Sequence, residues 1–344
     1  MTVRMISIAA ALGVALAGAA SAQEKITLQL GTAGQPSWSL GKVVNEVLKP
    51  KIEEYSEGRI EVVVHAGGSL CSEQACVEQM GLGQIDMATV SSGNVGAFGT
   101  TFDIINLPFL FRDQDAASAM LNGWLAEELA DRAKAEMNMH MIALIPVGGF
   151  RNLVNTEREA RVPADLNGMK IRVTKSPTEF NLVKAWGAAP IPYDWASLYE
   201  GLQSGVVQGM YLQDTFTAAG KFYEVVTNIT EVAAAWSAHP ILMTEERYQA
   251  LPDWARAAID KAGADVQRAA FDYDVAWQSS AVTAMEGKVA VYRPTEAEMD
   301  LWRAGARDAW VAVKGAYDPA LARRILSEQK LDTLIGDLEA AGAL

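Results

Sequence analysis

Asn167 to Met210 reads NGMKIRVTKSPTEFNLVKAWGAAPIPYDWASLYEGLQSGVVQGM, and it switches twice between the period of a strand and that of a helix. Met169, Ile171 and Val173 alternate with Lys170, Arg172 and Thr174, which is strand spacing. Ser176-Pro177-Thr178-Glu179 reads as a capping box with proline at the first helical position. Phe180, Val183 and Trp186 then share a face that Gly187 closes. Asp194 can cap a second helix, in which Trp195, Leu198, Tyr199 and Leu202 share a face until Gly205. Val206 to Leu212 is a strand again. A strand that opens directly into a helix is the unit of an α/β sheet, and such sheets bind ligands beyond the carboxyl ends of their strands. Arg172 stands at that end.

The chain before this stretch follows the same logic. Ile26 to Leu30 alternates, Leu40, Val43, Val44, Val47, Leu48 and Ile52 line one helical face, and Ile60, Val62 and Val64 alternate again. That is a β-α-β unit with a right-handed crossover. Gly67-Gly68-Ser69 opens a short helix from Glu73 to Leu82, and Gln84 to Thr89 is a third strand running into Ser91-Ser92-Gly93-Asn94. A helical run from Asp113 to Met137 leads to a strand over Met139–Pro146. Gly148-Gly149-Phe150-Arg151 leaves that strand, and Asn152 to Val154 reads as a strand in a new region, so the first crossover between lobes is expected near Val147 to Phe150. Val225 to Thr230 and Ala233 to Thr244 carry the chain back. From Pro252 to Ala290 the helix breakers are Gly263 and Gly287, and a helix of that length can lie across both lobes. The tail from Glu296 to Leu344 is mostly helical.

Charge and composition narrow the function classes. A net charge of −13 argues against nucleic acid or an anionic membrane as partner. Arg4, the apolar run Ile6 to Ala17 and Ala20-Ser21-Ala22 have the order of an export signal, so residues 1–22 are expected to be removed and the mature protein to be soluble and periplasmic. In an exported chain Cys71 and Cys76 are more often bridged than free; the alternative is two small buried residues at a helix start. Two cysteines without a nearby histidine pair supply too few ligands for zinc. His65, His140 and His239 form no H-E-x-x-H pair, no G-x-S-x-G elbow is present, and Gly81-Leu-Gly83 follows a helix rather than a strand. No cofactor or metal is therefore expected, and an exported hydrolase or lyase would lack its constellation.

What remains is a binding site. A guanidinium at Arg172 can clamp a carboxylate with two parallel hydrogen bonds, and Arg151 can supply a second charge. Each also reads as an ordinary strand or hinge arginine. Trp195 and Trp236 can offer rigid apolar faces to a ligand, or pack in the core as most of nine tryptophans must.

Asn167-Gly-Met-Lys-Ile-Arg-Val173, Trp186-Gly-Ala-Ala-Pro190 and Ser197-Leu-Tyr-Glu-Gly-Leu-Gln-Ser-Gly-Val-Val-Gln-Gly209 closely resemble the substrate-binding proteins of TRAP (tripartite ATP-independent periplasmic) transporters, of the DctP type. Gly67 to Glu78, Leu82-Gly-Gln-Ile-Asp86, Leu107-Pro-Phe-Leu-Phe111, Gly149-Phe-Arg-Asn-Leu153 and His239-Pro240 match in the same order. The resemblance implies a two-lobed α/β clamp. Each lobe is a mixed, mostly parallel sheet flanked by helices, with a long helix bridging the lobes. Lobe I is expected over 23–148 and 236–276, lobe II over 149–235 and 277–318, and 319–344 as a helical tail on lobe I. It implies a carboxylate anchor at Arg172, supported by Arg151, with Glu73, Ser91, Ser92, Asn94 and Trp195 around the ligand. Leu212 stands where many members carry Asn, so Gln213 or Asp214 is expected to take over, with Trp236 shaping the far side. Implied partners are a small carboxylate and the TRAP permease subunits, and a monomer is expected. An exported sensor for a signalling partner is the alternative.

Overall fold

The computed structural model describes residues 25–96 and 98–344; the expected export segment lies outside them. Among the described residues nine strands form one mixed sheet: β1 (Ile26–Thr32), β2 (Ile60–His65), β3 (Met87–Thr89), β4 (Met139–Asn155), β5 (Lys170–Val173), β6 (Ala189–Pro192), β7 (Gly209–Gln213), β8 (Asn228–Thr244) and β9 (Ala290–Tyr292). Their order is β2-β1-β3-β8-β4-β7-β5-β6, with β9 on β8. The pairs at both ends are parallel, β1 with β2 and β3, β5 with β6 and β7, whereas β8 pairs antiparallel with β3 and β4.

Two lobes arise because β4 and β8 are each 17 residues long and run through both. Met139 to Pro146 of β4 faces Ala238 to Thr244 of β8 in lobe I, Arg151 to Asn155 faces Asn228 to Ala235 in lobe II, and Phe150 pairs with Trp236 at the junction. The register between them slips from Pro146 to Phe150. Gly148 and Gly149 occupy that slip with φ of 81° and 79°, a left-handed backbone that costs a side-chain-bearing residue. Two segments read as separate strands are thus one strand bent at a glycine pair.

The expected helical run Asp113–Met137 is two helices, Gln114–Leu121 and Trp124–Met137, because Gly123 turns the chain at φ −128°, ψ −140°. The long helix spans Asp253–Met285, and Ala255, Ala258, Ile259, Ala262, Val266 and Ala270 bury its inner face. A second helix, Glu296–Ala312, also ties the lobes together. Its Trp302 is buried in the lobe II core and donates its indole N–H to Arg161 O at 2.9 Å. Its Trp310 is buried in the lobe I core and donates to Pro108 O at 2.9 Å. Leu321, Ile325, Leu326 and Leu338 of the last two helices pack into the same lobe I core. Among the described residues no helix is long and apolar enough to cross a membrane.

Candidate functional site

Between the lobes lies a small chamber of about 40 Å³ that opens into an outer cavity of about 540 Å³; Trp38, Glu73, Asn94 and Trp195 belong to the walls of both. Several segments build the chamber. The first helical segment supplies Trp38 and Leu40, and the loop and helix from Glu73 to Asn94 supply the lobe I carboxylate. Strands β4 and β5 supply Arg151 and Arg172, and β7 with the helix behind it supplies Leu212, Gln213 and Phe216.

Arg172 is only 2% exposed although strand alternation puts it on the polar face with exposed Lys170. The carboxyl end of β5 runs under the opposite lobe, so that face is polar at one end and covered at the other. Its Nε donates to Tyr193 O at 3.0 Å, which fixes the plane of the guanidinium. Among the described residues its two terminal nitrogens meet no protein acceptor and no carboxylate lies within ion-pair distance. Burial pulls the group down to about 10, so it remains a cation at neutral pH.

Arg151 also lines the chamber, but its charge is matched inside the protein. Nη2 lies 3.2 Å from Glu179 Oε1, and Nη1 donates to Tyr211 O at 3.3 Å. Glu179 was expected to close a capping box. Instead Ser176 caps the helix alone, accepting from the Glu179 N–H at 3.0 Å, while the Glu179 carboxylate turns inward, accepts from Thr174 N at 3.1 Å and faces Arg151. A buried guanidinium nearby draws the acid away from the helix end.

Glu73 is held by three partners. Ser91 Oγ donates to it at 2.8 Å, Asn94 Nδ2 at 2.5 Å, and His239 Nε2 lies 3.3 Å away. Burial alone would raise its pKa; the hydrogen bonds from His239, Asn94 and Ser91 outweigh that and hold it at about 2. Cys71 and Cys76 are bridged with Cα atoms 5.2 Å apart, so the disulfide brackets the turn that presents Glu73.

Of the expected residues, Arg172, Arg151, Trp195, Glu73, Ser91, Asn94 and Gln213 come together on the chamber. Three do not. Ser92 is fully buried and donates to Asn106 Oδ1 at 2.9 Å; its neighbour Ser91 faces the chamber. Asp214 follows Gln213 but points away, accepting from Asn152 Nδ2 at 2.9 Å. Trp236 is 1% exposed and packs edge-on against Phe150 at 5.0 Å in the lobe I core. It lies three positions before His239 on β8, and strand alternation puts residues an odd number apart on opposite faces.

Trp38 and Phe216 are chamber residues that no motif announced, and His239, although part of the matching His239-Pro240 stretch, was not read as a site residue. Trp38 and Trp195 meet edge-on at 6.0 Å across the cleft, and Phe216 contacts each at 5.5 Å. The aromatic content of the chain gave no means of telling these rings from core packing.

Two lobes joined through a shared pair of long strands, with a buried guanidinium between them whose terminal nitrogens meet no protein acceptor among the described residues, form a site suited to an anionic group. The chain belongs to the bacterial extracellular solute-binding proteins of family 7, the DctP family, whose family model matches residues 30–314. A solute-binding protein of Verminephrobacter eiseniae is 29% identical over 258 residues, 74% of this chain and 76% of that protein. A TRAP periplasmic solute-binding protein from Bordetella, with density interpreted as pantoate, superposes with a TM-score of 0.80 at 25% identity, covering 88% of this chain and 98% of that one. The sugar-acid-binding protein of Advenella mimigardefordensis, in complex with galactonate, superposes with a TM-score of 0.83 at 21% identity over 89% and 98% of the two chains, and carries the fold.

Proposed function

We propose that this protein is the periplasmic solute receptor of a TRAP transporter, capturing a small organic acid and passing it to the membrane permease subunits. The observation that carries the reading is Arg172: a buried guanidinium on the chamber wall whose terminal nitrogens meet no protein acceptor among the described residues, with Glu179 and Glu73 acting on it only from beyond ion-pair distance. A carboxylate supplies the missing charge and accepts two parallel hydrogen bonds. Galactonate, in complex with one protein of the same fold, and pantoate, as which density in another was interpreted, are both carboxylates. Glu73, Asn94, Gln213 and Trp195 shape the space around the acid, and Arg151 backs the chamber wall. Binding is the whole task, without chemistry on the ligand. The protein acts as an exported monomer once residues 1–22 are removed. Residues 23–148 with 236–276 move as one lobe and 149–235 with 277–318 as the other. Ligand binding favours the closed form by its higher affinity for that form, and the closed form is what the permease receives.

Denaturing purified protein and weighing what it releases identifies the acid; titration calorimetry then tests the anchor. Arg172→Ala is expected to weaken binding by about 2–5 kcal/mol, the range for removing one side of a buried charge pair. Affinity near that of the wild type would overturn the assignment.

A further inference from the structure

A carboxylate on Arg172 leaves other polar atoms of the chamber unused, and their chemistry fixes what stands beside it; the inference rests on the carboxylate reading and deepens it. We propose that Gln213, together with Arg151, reads a hydroxyl on the carbon next to the carboxylate and that His239 reads a second hydroxyl. The cleft then selects a polyhydroxylated acid over its deoxy, keto and amino counterparts.

Arg151 Nε, Gln213 Oε1 and His239 Nδ1 belong to residues lining the chamber, are buried, and have no hydrogen-bond partner among the described residues. A buried polar atom left so costs free energy until a ligand group meets it. In each side chain the other polar atoms are engaged. Gln213 Nε2 donates to Val147 O at 3.1 Å, which fixes the amide and leaves its oxygen free. The terminal nitrogens of Arg151 go to Tyr211 O and Glu179 and leave Nε. His239 Nε2 lies 3.3 Å from Glu73 Oε1 and leaves Nδ1.

Arg151 and Gln213 stand directly opposite each other on β4 and β7, and opposite residues of an antiparallel pair share a face. One offers a donor and the other an acceptor. A hydroxyl accepts from the first and donates to the second. A keto oxygen only accepts and would face Gln213 Oε1 without a proton, a methylene answers neither, and an ammonium would stand against a guanidinium. At about 10–15 Å³ for each water-sized group, a chamber of about 40 Å³ holds a carboxylate and the hydroxyl adjoining it, which places that hydroxyl at position 2. Ionised Glu73 only accepts, so a neutral His239 ring carries its proton on Nε2 and Nδ1 accepts, whereas a protonated ring donates from Nδ1. A second hydroxyl suits either form. The rest of the acid continues into the cavity of about 540 Å³. Trp38 and Trp195 meet and close one side of the way, which leaves the side of Ala33, Glu73 and Asn94, shared by both walls. Beyond it Gln35, Ser72, Gln74, Lys175, Asp194 and Tyr199 line the cavity, a wall suited to further hydroxyls.

The test uses the full exported chain with six probes in calorimetry: galactonate, glycerate, lactate, propionate, pyruvate and alanine, the last five differing at the carbons beside the carboxylate. Chiral acids are measured as both enantiomers and the tighter one is compared. Galactonate is expected to bind best, followed by glycerate, lactate and propionate, with about three- to tenfold lost for each hydroxyl removed from glycerate. Pyruvate and alanine are expected to bind more weakly than lactate. Gln213→Met, close in volume, is expected to bring lactate to within about twofold of propionate. His239→Leu is expected to bring glycerate down to lactate while lactate keeps its lead over propionate. A merely structural role would weaken all the acids alike and leave these ratios unmoved; melting curves confirm that both variants fold. Propionate, pyruvate or alanine binding as tightly as lactate, with Arg172→Ala abolishing it, would overturn the hydroxyl reading and leave the carboxylate anchor standing. Unmoved ratios in the two variants would overturn the roles of Gln213 and His239. Failure of all six probes to bind would overturn the anchor as well.

Discussion

Arg151 and Arg172 sit on strands separated only by β7, are equally buried at 2% exposure, and do different work. The difference is Glu179, itself fully buried, which faces Arg151 and leaves Arg172 to the cleft. A buried pair is poor evidence of net stability, but breaking one side leaves a charge that water cannot reach. Arg151→Ala is therefore expected to lower unfolding free energy by about 3–5 kcal/mol in urea melts. Replacing both partners with Met recovers much of that loss. If Arg151→Ala instead spared stability and abolished ligand binding, Arg151 would serve the ligand and not the fold. Ser92 and Asp214 carry a similar lesson: each is adjacent to a chamber residue and turned away from it, because neighbouring side chains in extended or capping segments leave the backbone in different directions.

The elements that meet across the cleft hold the lobes together through one buried acid. Asp103 lies in a short turn of lobe I, yet it accepts from Ser176 Oγ and, at 2.6 Å, from Thr178 Oγ1 at the start of the lobe II helix Pro177–Ala185. Its negative charge faces the positive end of that helix. Burial pushes its pKa up, and the hydrogen bonds from Ser176, Thr178 and Asn106 pull against that. Beside it, a Cβ on Gly93 would lie 2.3 Å from Thr174 Oγ1 and 2.8 Å from Glu179 Oε1, so the lobes approach as closely as glycine permits. Asp103→Ala and Gly93→Val are both expected to raise the open fraction. Solution scattering should show a larger radius of gyration without ligand, and affinity should fall in proportion to the lost closed fraction. Unchanged scattering and affinity in both would mean that this contact does not control closure.

For the molecule as a whole, the glycine pair in β4 is where opposing demands meet. The long helix reaches it through Asp274, which accepts from Gly148 N at 2.6 Å and from Gln278 at 2.7 Å, while lobe II reaches it through Thr215 Oγ1, donating to Gly148 O at 3.0 Å. A Cβ on Gly149 would meet Gln278 Oε1 at 2.8 Å, in a backbone conformation that costs an L-residue about 1–2 kcal/mol. Gly149→Ala is expected to lower the melting temperature and shrink the ligand-induced change in radius of gyration. A variant that closed as fully as the wild type, with only the melting temperature moved, would show that the bend needs glycine for stability alone.

Much of this was written in the chain itself. Hydrophobic period and turn residues marked the β-α-β start, the strand carrying Arg172 and the presence of a long helix after Pro252, because those depend on neighbours a few residues apart. The ordered motifs from Gly67 to Gly209 marked the family and singled out Arg172. Three things depended on residues far apart in sequence, and only the folded molecule decided them. Glu179 left its expected cap for Arg151, 28 positions away by the difference of their numbers. Trp38 faced Trp195 across the cleft while Trp236 turned into the core. Asp103 found its partners on the other lobe. Local periodicity says which face a side chain takes; what covers that face is set by packing, and at Arg172 the packing turned an ordinary strand position into a buried cation on the wall of the cleft.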